Sequence, residues 1–397
     1  MRSLGWTLGG LAVAAGLFLG APASAYDGIV EKKIFEMPSY TTTGGGTIRN
    51  VRIGWESYGT LNAAKDNAIL VTHFFSGTSH AAGRYKADDK APGYWDAIIG
   101  PGKPLDTDKY FVISSDTLVN LGAKDPTVVT TGPASINPDT GKPYGMSFPV
   151  VTIRDFVEVQ KALLDSLGIK TLHAVMGPSM GSLQAFEWAA AYPDMVKRVI
   201  PVIGGAEANA FLIGWLNAWA APIKLDPNWN NGDYYGKAEP VKGLAEALKV
   251  VTLQANYWPW FDGKFGRKFA EEGKDPRASM DNQYEVEVFL DKAAAARAAL
   301  SDANHFLYLV KANQTFVAGN GGSLEEGLKK IKAPVLLIPS ANDIVFFADQ
   351  NMRALKAKLE EGGKVEYTEA ITGPMGHLDG IANIAKAGDA IAKFLAQ

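Results

Sequence analysis

The chain has no cysteine among its 397 residues. That absence excludes a thiol nucleophile, a disulfide framework, thiolate metal ligation and lipid attachment through sulfur. Histidine is scarce too: there are five, at 73, 80, 173, 305 and 377. None of them pairs with another at metal-ligand spacing, so neither a metal nor another cofactor is expected. Runs of lysine and arginine are missing and the formal net charge is only −3, which argues against a nucleic-acid partner. Beyond the N-terminus no apolar stretch reaches the ~20 residues that a membrane span requires. No segment is biased enough in composition to read as disordered.

Hydrophobic residues make up 47% of the chain, ample for a large core. The first residues differ from the rest. Arg2 is followed by an apolar run from Leu8 to Leu19, and then by small residues at Ala23 and Ala25. This is the pattern of a secretory signal peptide over 1–25, cleaved after Ala25. The mature protein is then expected to be periplasmic or secreted.

Further on, apolar runs at 68–75 and 110–118 read as buried strands, and 50–61 as an alternating one. Phe156, Val159, Leu163, Leu164 and Leu167 recur at helical spacing, with Thr152 as N-cap and Gly168 as the stop. Strand 172–177, a helix ending at Pro193 and strand 198–205 follow. Strands alternating with helices imply a parallel sheet covered on both faces. The alternation lapses between 206 and 324, where helical segments at 241–256 and 283–313 accompany a cluster of tryptophans. It resumes with strand 333–343, helix 348–361, strand 364–371 and a last helix from about 380. The expected class is therefore α/β: a core over 26–205 and 325–397, interrupted by a helical lid over 206–324.

The sharpest motif is Gly177-Pro178-Ser179-Met180-Gly181, a G-x-S-x-G between a buried strand and a helix. A sharp turn there lifts a hydroxyl above the sheet, and small flanking residues let the backbones approach. This motif in this context identifies an α/β-hydrolase fold with Ser179 as nucleophile. A serine hydroxyl needs a base. His377, in the loop between the last strand and the last helix, is the candidate; His173 and His305 read as structural. The base in turn needs a carboxylate. Asp343 ends a strand and gives the chain order Ser, Asp, His; Asp349 and Asp379 are its rivals. The oxyanion-hole donors are expected to be the backbone N–H groups of Met180 and of Phe75, the latter in the loop His73-Phe74-Phe75-Ser76-Gly77.

Several stretches resemble the homoserine O-acetyltransferase family. They include Tyr58-Gly59-Thr60-Leu61-Asn62, Ser79-His80-Ala81-Ala82-Gly83, Gly132-Pro133-Ala134-Ser135-Ile136-Asn137-Pro138 and Asp226-Pro227-Asn228-Trp229. The resemblance spans roughly 50–397. It implies a hydrolase-fold core with a helical lid, a Ser179–His377–Asp343 triad and, commonly in that family, a homodimer built through the lid. Two positions depart from the family. The family follows its histidine with an aspartate that holds the substrate amine, whereas here Leu378 stands. The family also has a substrate-binding arginine where Ala220 lies. A charged amino acid buried without partners is strongly disfavoured. Together with the signal peptide, this gives as first expectation an exported hydrolase of a small-molecule ester. The alternative is an acyltransferase that passes the acyl group to an alcohol.

Overall fold

The computed structural model describes residues 26–362 and 364–397. The expected signal peptide and its cleavage point lie outside the described residues. Eight strands form one sheet: β1 (Lys33–Thr41), β2 (Thr47–Tyr58), β3 (Ala68–Val71), β4 (Phe111–Ser115), β5 (Ala174–Pro178), β6 (Val199–Val202), β7 (Val335–Leu337) and β8 (Val365–Tyr367). Their spatial order is β1-β2-β4-β3-β5-β6-β7-β8. β2 is antiparallel to both β1 and β4. Every pairing from β4 through β8 is parallel.

The central strands read as unbroken apolar runs because both faces are covered, and alternate residues serve different faces. Leu70, Val175 and Val199 point into one core, while Val71, Met176 and Ile200 point into the other. Against the first face pack α1 (Ile153–Ser166) and α2 (Met180–Ala191), through Phe156, Leu163, Leu183 and Phe186. The expected start of α1 at Thr152 is a capping box, in which Asp155 accepts the Thr152 N–H at 2.6 Å. Such a cap stabilises the helix by about 1 kcal/mol. The second face is covered by the last helix.

After β6 and ahead of the short α8 come the helices α3 (Ala210–Leu225), α4 (Val241–Ala255), α5 (Trp258–Phe265), α6 (Glu285–Leu300) and α7 (Ala303–Gln314). The segment expected as one helix over 283–313 is two. The break falls at Ser301-Asp302, where the Asp302 carboxylate accepts the His305 N–H at 3.0 Å and starts α7. The remaining helices are α8 (Leu324–Lys329), α9 (Arg353–Glu360), α10 (Asp379–Ala382) and α11 (Gly388–Leu395). Ile391, Phe394 and Leu395 of α11 fill the second core. Among the described residues no helix is long and apolar enough to cross a membrane.

The run 68–75 is a strand only as far as Val71. From Thr72 onward the same apolar residues turn away to build a loop at the site described next. β1 has no counterpart in the apolar pattern. It is an edge strand without a fully buried residue, and it carries Pro38, which an edge tolerates because one row of N–H groups is unpaired anyway.

Candidate active site

Ser179 sits between β5 and α2 with φ 57° and ψ −119°, a left-handed conformation that a non-glycine residue adopts only under constraint. The constraint comes from crowding. A Cβ on Gly177 would lie 2.2 Å from the Thr72 hydroxyl, and one on Gly181 would lie 2.3 Å from the Thr72 carbonyl oxygen. The motif's two glycines thus let β5 and α2 close onto the end of β3. Thr72 fastens the junction, donating its hydroxyl to Gly181 O at 2.8 Å.

The turn raises the Ser179 hydroxyl to 2.8 Å from His377 Nε2. On the other side of the ring, Nδ1 lies 2.7 Å from Asp343 Oδ2. The second carboxylate oxygen of Asp343 accepts the N–H groups of Val345 and Phe346 at 2.7 and 3.0 Å. All three side chains are buried, and the Phe346 ring stacks on the imidazole at 5.9 Å between centroids. An Nδ1–H directed at a carboxylate leaves Nε2 as the acceptor for the serine proton.

The rival carboxylates lie elsewhere. Asp379 is buried but holds the loop that carries His377, accepting the N–H groups of Met375 and Gly376 at 3.1 and 2.9 Å. Ser340 grips the same loop by donating to Gly376 O at 2.7 Å. Asp349 is exposed and lies 3.3 Å from Arg353. The other histidines have structural partners. His173 lies 2.8 Å from Leu395 O, and His305 lies 2.8 Å from Asn120 O.

His80, part-buried in the segment that follows β3, belongs to a cluster built around buried Glu56. Its Nδ1 lies 3.0 Å from Glu56, which also pairs with Lys32 and accepts the Tyr85 and Ser79 hydroxyls. Burial pushes the Glu56 carboxyl up. The hydrogen bond from His80, the Lys32 charge and the Tyr85 hydroxyl outweigh burial and hold it at about 2.

The loop geometry also sets the direction of one backbone N–H that was expected as an oxyanion donor. The Phe74 carbonyl is taken up by the His73 ring at 2.7 Å and by the Gly77 N–H at 2.9 Å. In a planar trans peptide the next N–H points the opposite way. The Phe75 N–H is therefore turned away from the loop interior, and it has no protein acceptor among the described residues. Met180 is the first residue of α2, so its N–H lacks an intrahelical partner as well. Nothing in the apolar pattern singled out His73 or Thr72. The one available signal was their position just past a buried strand that precedes the loop.

Ser179 and His377 open on a cavity of about 230 Å³. Phe74, Trp219, Val251, Val345, Leu378 and Ile381 supply its apolar wall. The lid contributes Trp219 from α3, whose indole N–H donates to Gln254 at 2.7 Å, and Val251 from α4. Leu378 therefore stands in the wall directly beside His377. Ala220 does not line this cavity; it faces a separate surface groove with Asn217 and Leu307. Among the described residues no three His, Cys, Asp or Glu side chains are grouped to hold a metal ion.

A parallel sheet with one antiparallel edge, a strained serine at its strand-to-helix turn and an imidazole–carboxylate pair beside it define an α/β-hydrolase-fold enzyme. A family model described as alpha/beta hydrolase fold matches residues 92–381. The homoserine O-acetyltransferase of Methanococcoides burtonii is 42% identical over 334 residues, 84% of this chain and 67% of that one. The crystal structure of that activity's enzyme from Bacillus anthracis is 38% identical with TM-score 0.88, covering 93% of this chain and 98% of the other. The crystal structure of esterase E22 is 51% identical with TM-score 0.88, covering 92% and 100%. The chain belongs to the homoserine O-acetyltransferase family of α/β-hydrolase-fold enzymes.

Proposed function

We propose that the protein cleaves small esters through an acyl-enzyme on Ser179. Its Oγ attacks the ester carbonyl carbon while the hydroxyl proton passes to His377 Nε2. The N–H groups of Phe75 and Met180 take the developing oxyanion, a contribution of about 3–4 kcal/mol per donor in comparable sites. Collapse breaks the bond to the alcohol, which leaves with the proton from Nε2. Water then attacks the acyl carbonyl and gives a proton to Nε2; collapse breaks the bond to Ser179 Oγ, which takes that proton back as the carboxylic acid leaves. Asp343 keeps the imidazole in the required tautomer and stabilises its protonated form.

The observation that carries this reading is the 2.8 Å contact between Ser179 and His377 inside an apolar cavity. The small volume favours short acyl and alcohol groups, since pockets for drug-sized ligands occupy ~300–1,000 Å³. Leu378, where the family has an amine-binding aspartate, favours water over an amino-acid acceptor, and the likeness to an esterase at 51% identity agrees. A second reading has its own support. The curated relatives near 40% identity are homoserine O-acetyltransferases, which favours transfer of the acyl group to an alcohol. Product analysis separates the two. With a short-chain acetyl ester or acetyl-CoA as donor and homoserine present, the hydrolase reading expects free acetate and little O-acetylhomoserine; saturable O-acetylhomoserine formation would establish the transferase.

Two further expectations belong with this reading. Export is tested by whether the N-terminus of the mature protein is Tyr26. A homodimer through the lid fits the exposed Phe211, Ile213, Leu253 and Trp258 on α3–α5, and light scattering of the purified protein tests it.

A further inference from the structure

Arg297 lies in the last turn of α6 and lines the cavity that opens on Ser179. Its one protein hydrogen bond among the described residues runs from Nη1 to the Thr252 hydroxyl at 3.0 Å. No described carboxylate stands within 4.0 Å of it. Burial pushes its pKa down from the ordinary arginine value, and no neighbouring carboxylate opposes that shift. The C-terminal end of α6 offers only a partial negative charge, which offsets part of the desolvation at most.

A guanidinium has five N–H donors and no acceptor. With one donor engaged, several remain, and a half-buried cation facing an apolar cavity without a counter-charge is costly unless something else pairs with it. Structural arginines resolve this with a carboxylate from the protein itself. Arg154, for example, pairs with buried Glu187.

Beside Arg297 the cavity holds another unfilled polar group. Asn256 is buried at 4% exposure. Its Nδ2 donates to Thr252 O at 2.8 Å, which fixes the amide's orientation, and its Oδ1 has no partner among the described residues. Thr252 is already committed, donating to Leu248 O at 2.7 Å while it accepts from Arg297. One wall of an otherwise apolar cavity thus presents a cation and a vacant acceptor together.

We propose that Arg297 and Asn256 form a carboxylate-recognition subsite, and that the preferred esters of this enzyme carry a free carboxylate on the group that enters the lid side of the cavity. Arg297 pairs with that carboxylate, and Asn256 Oδ1 accepts from a neighbouring hydroxyl, amide or ammonium of the same substrate. The inference deepens the serine-ester reading and rests on it. The subsite is separate from Leu378 and Ala220, the two positions at which the chain departs from its family.

The test compares matched esters. One pair carries the charge on the acyl side: mono-4-nitrophenyl glutarate against 4-nitrophenyl pentanoate. The other carries it on the alcohol side: 4-acetoxybutanoate against its methyl ester, followed by acetate release. The readout is the charged-to-neutral ratio of kcat/KM, so a general loss of activity cancels within each variant. For at least one pair the wild type is expected to favour the charged ester by about tenfold to a hundredfold, the range of a charged hydrogen bond. Arg297→Gln is expected to lower that ratio below one, and Arg297→Lys to retain an intermediate value. A wild-type ratio below one for both pairs overturns the proposal, and so does a ratio unaffected by Arg297→Gln. If Arg297→Gln does not fold, the wild-type ratios and Arg297→Lys decide. Failure of the underlying reading looks different: Ser179→Ala would then still cleave the neutral esters.

Discussion

The His73 ring donates from Nδ1 to the carbonyl of the very next residue, Phe74, at 2.7 Å. Its other nitrogen lies 3.3 Å from the Asn120 amide nitrogen, so the ring is a neutral donor–acceptor bridge. It thereby sets the plane of the Phe74–Phe75 peptide and the direction of the Phe75 N–H. On the proposed mechanism His73 acts as a positioning residue, since it reaches the reaction only through that peptide.

His73→Leu is therefore expected to lower kcat for a short-chain ester by about tenfold or more, approaching the ~10²–10³ seen when an oxyanion donor is deleted. KM should change little, because ground-state binding does not use that donor strongly. His73→Gln, which can still donate to the Phe74 carbonyl, should recover part of the loss. A variant that raises KM and leaves kcat intact would refute this role.

The same residue makes a pH prediction. Burial pushes the His73 pKa down to about 4, whereas an unfolded histidine titrates near ~6.5. The folded-state pKa is depressed, so below pH 6.5 the unfolded chain binds a proton that the folded chain refuses. The stability contributed by neutral His73 is full above that pH and is lost as pH falls toward 4. Burial lowers His305 and His173 in the same direction. Glu56, held at about 2, loses its contribution only at lower pH. Urea unfolding between pH 6 and 5 should thus show a slope shallower in His73→Gln than in wild type by about one proton, ~1.4 kcal/mol per pH unit. Equal slopes would contradict the buried neutral ring.

Asp343→Asn removes the charge that orients His377 while keeping the shape of the side chain. By analogy with serine triads generally, kcat should fall by about 10⁴-fold with KM nearly unchanged. Asp379→Asn acts on the loop beneath His377 and should chiefly lower the thermal midpoint. The reverse ranking in steady-state kinetics would exchange the roles of the two carboxylates.

Leu378→Asp places a carboxylate in an apolar wall beside His377. Turnover of neutral acetyl esters should fall, and the fraction of acyl groups delivered to an amine-bearing alcohol such as homoserine should rise against hydrolysis. The product ratio measures this directly. An unchanged ratio would mean that the acceptor's amine does not approach this wall.

Much of the site was legible because a few residue types punctuate this fold sharply. Gly177 and Gly181 mark a place where backbones nearly touch, and a single histidine stands in the last loop. β1 was not legible: its exposed face, half-covered partner face and Pro38 leave no apolar signature. The break between α6 and α7 hides in Ser301-Asp302, a cap short enough to pass as helical surface. Arg297 sits in the run Ala293-Ala294-Ala295-Ala296-Arg297-Ala298-Ala299, where one charge reads as a solvated position. Only the fold of the lid over Ser179 turns it toward the cavity. The engagement of Asp379 with the His377 loop is local, with N–H groups three and four residues back, but spacing alone does not show which way the carboxylate faces and left it a rival to Asp343.

The central claim is that Ser179 is the nucleophile, and the most direct measurement is fluorophosphonate labelling of the folded protein with mass-spectrometric mapping of the adduct. A single adduct on Ser179 is expected, absent in Ser179→Ala and formed far more slowly in His377→Ala. No adduct in active protein, or an adduct on another residue, would contradict the account.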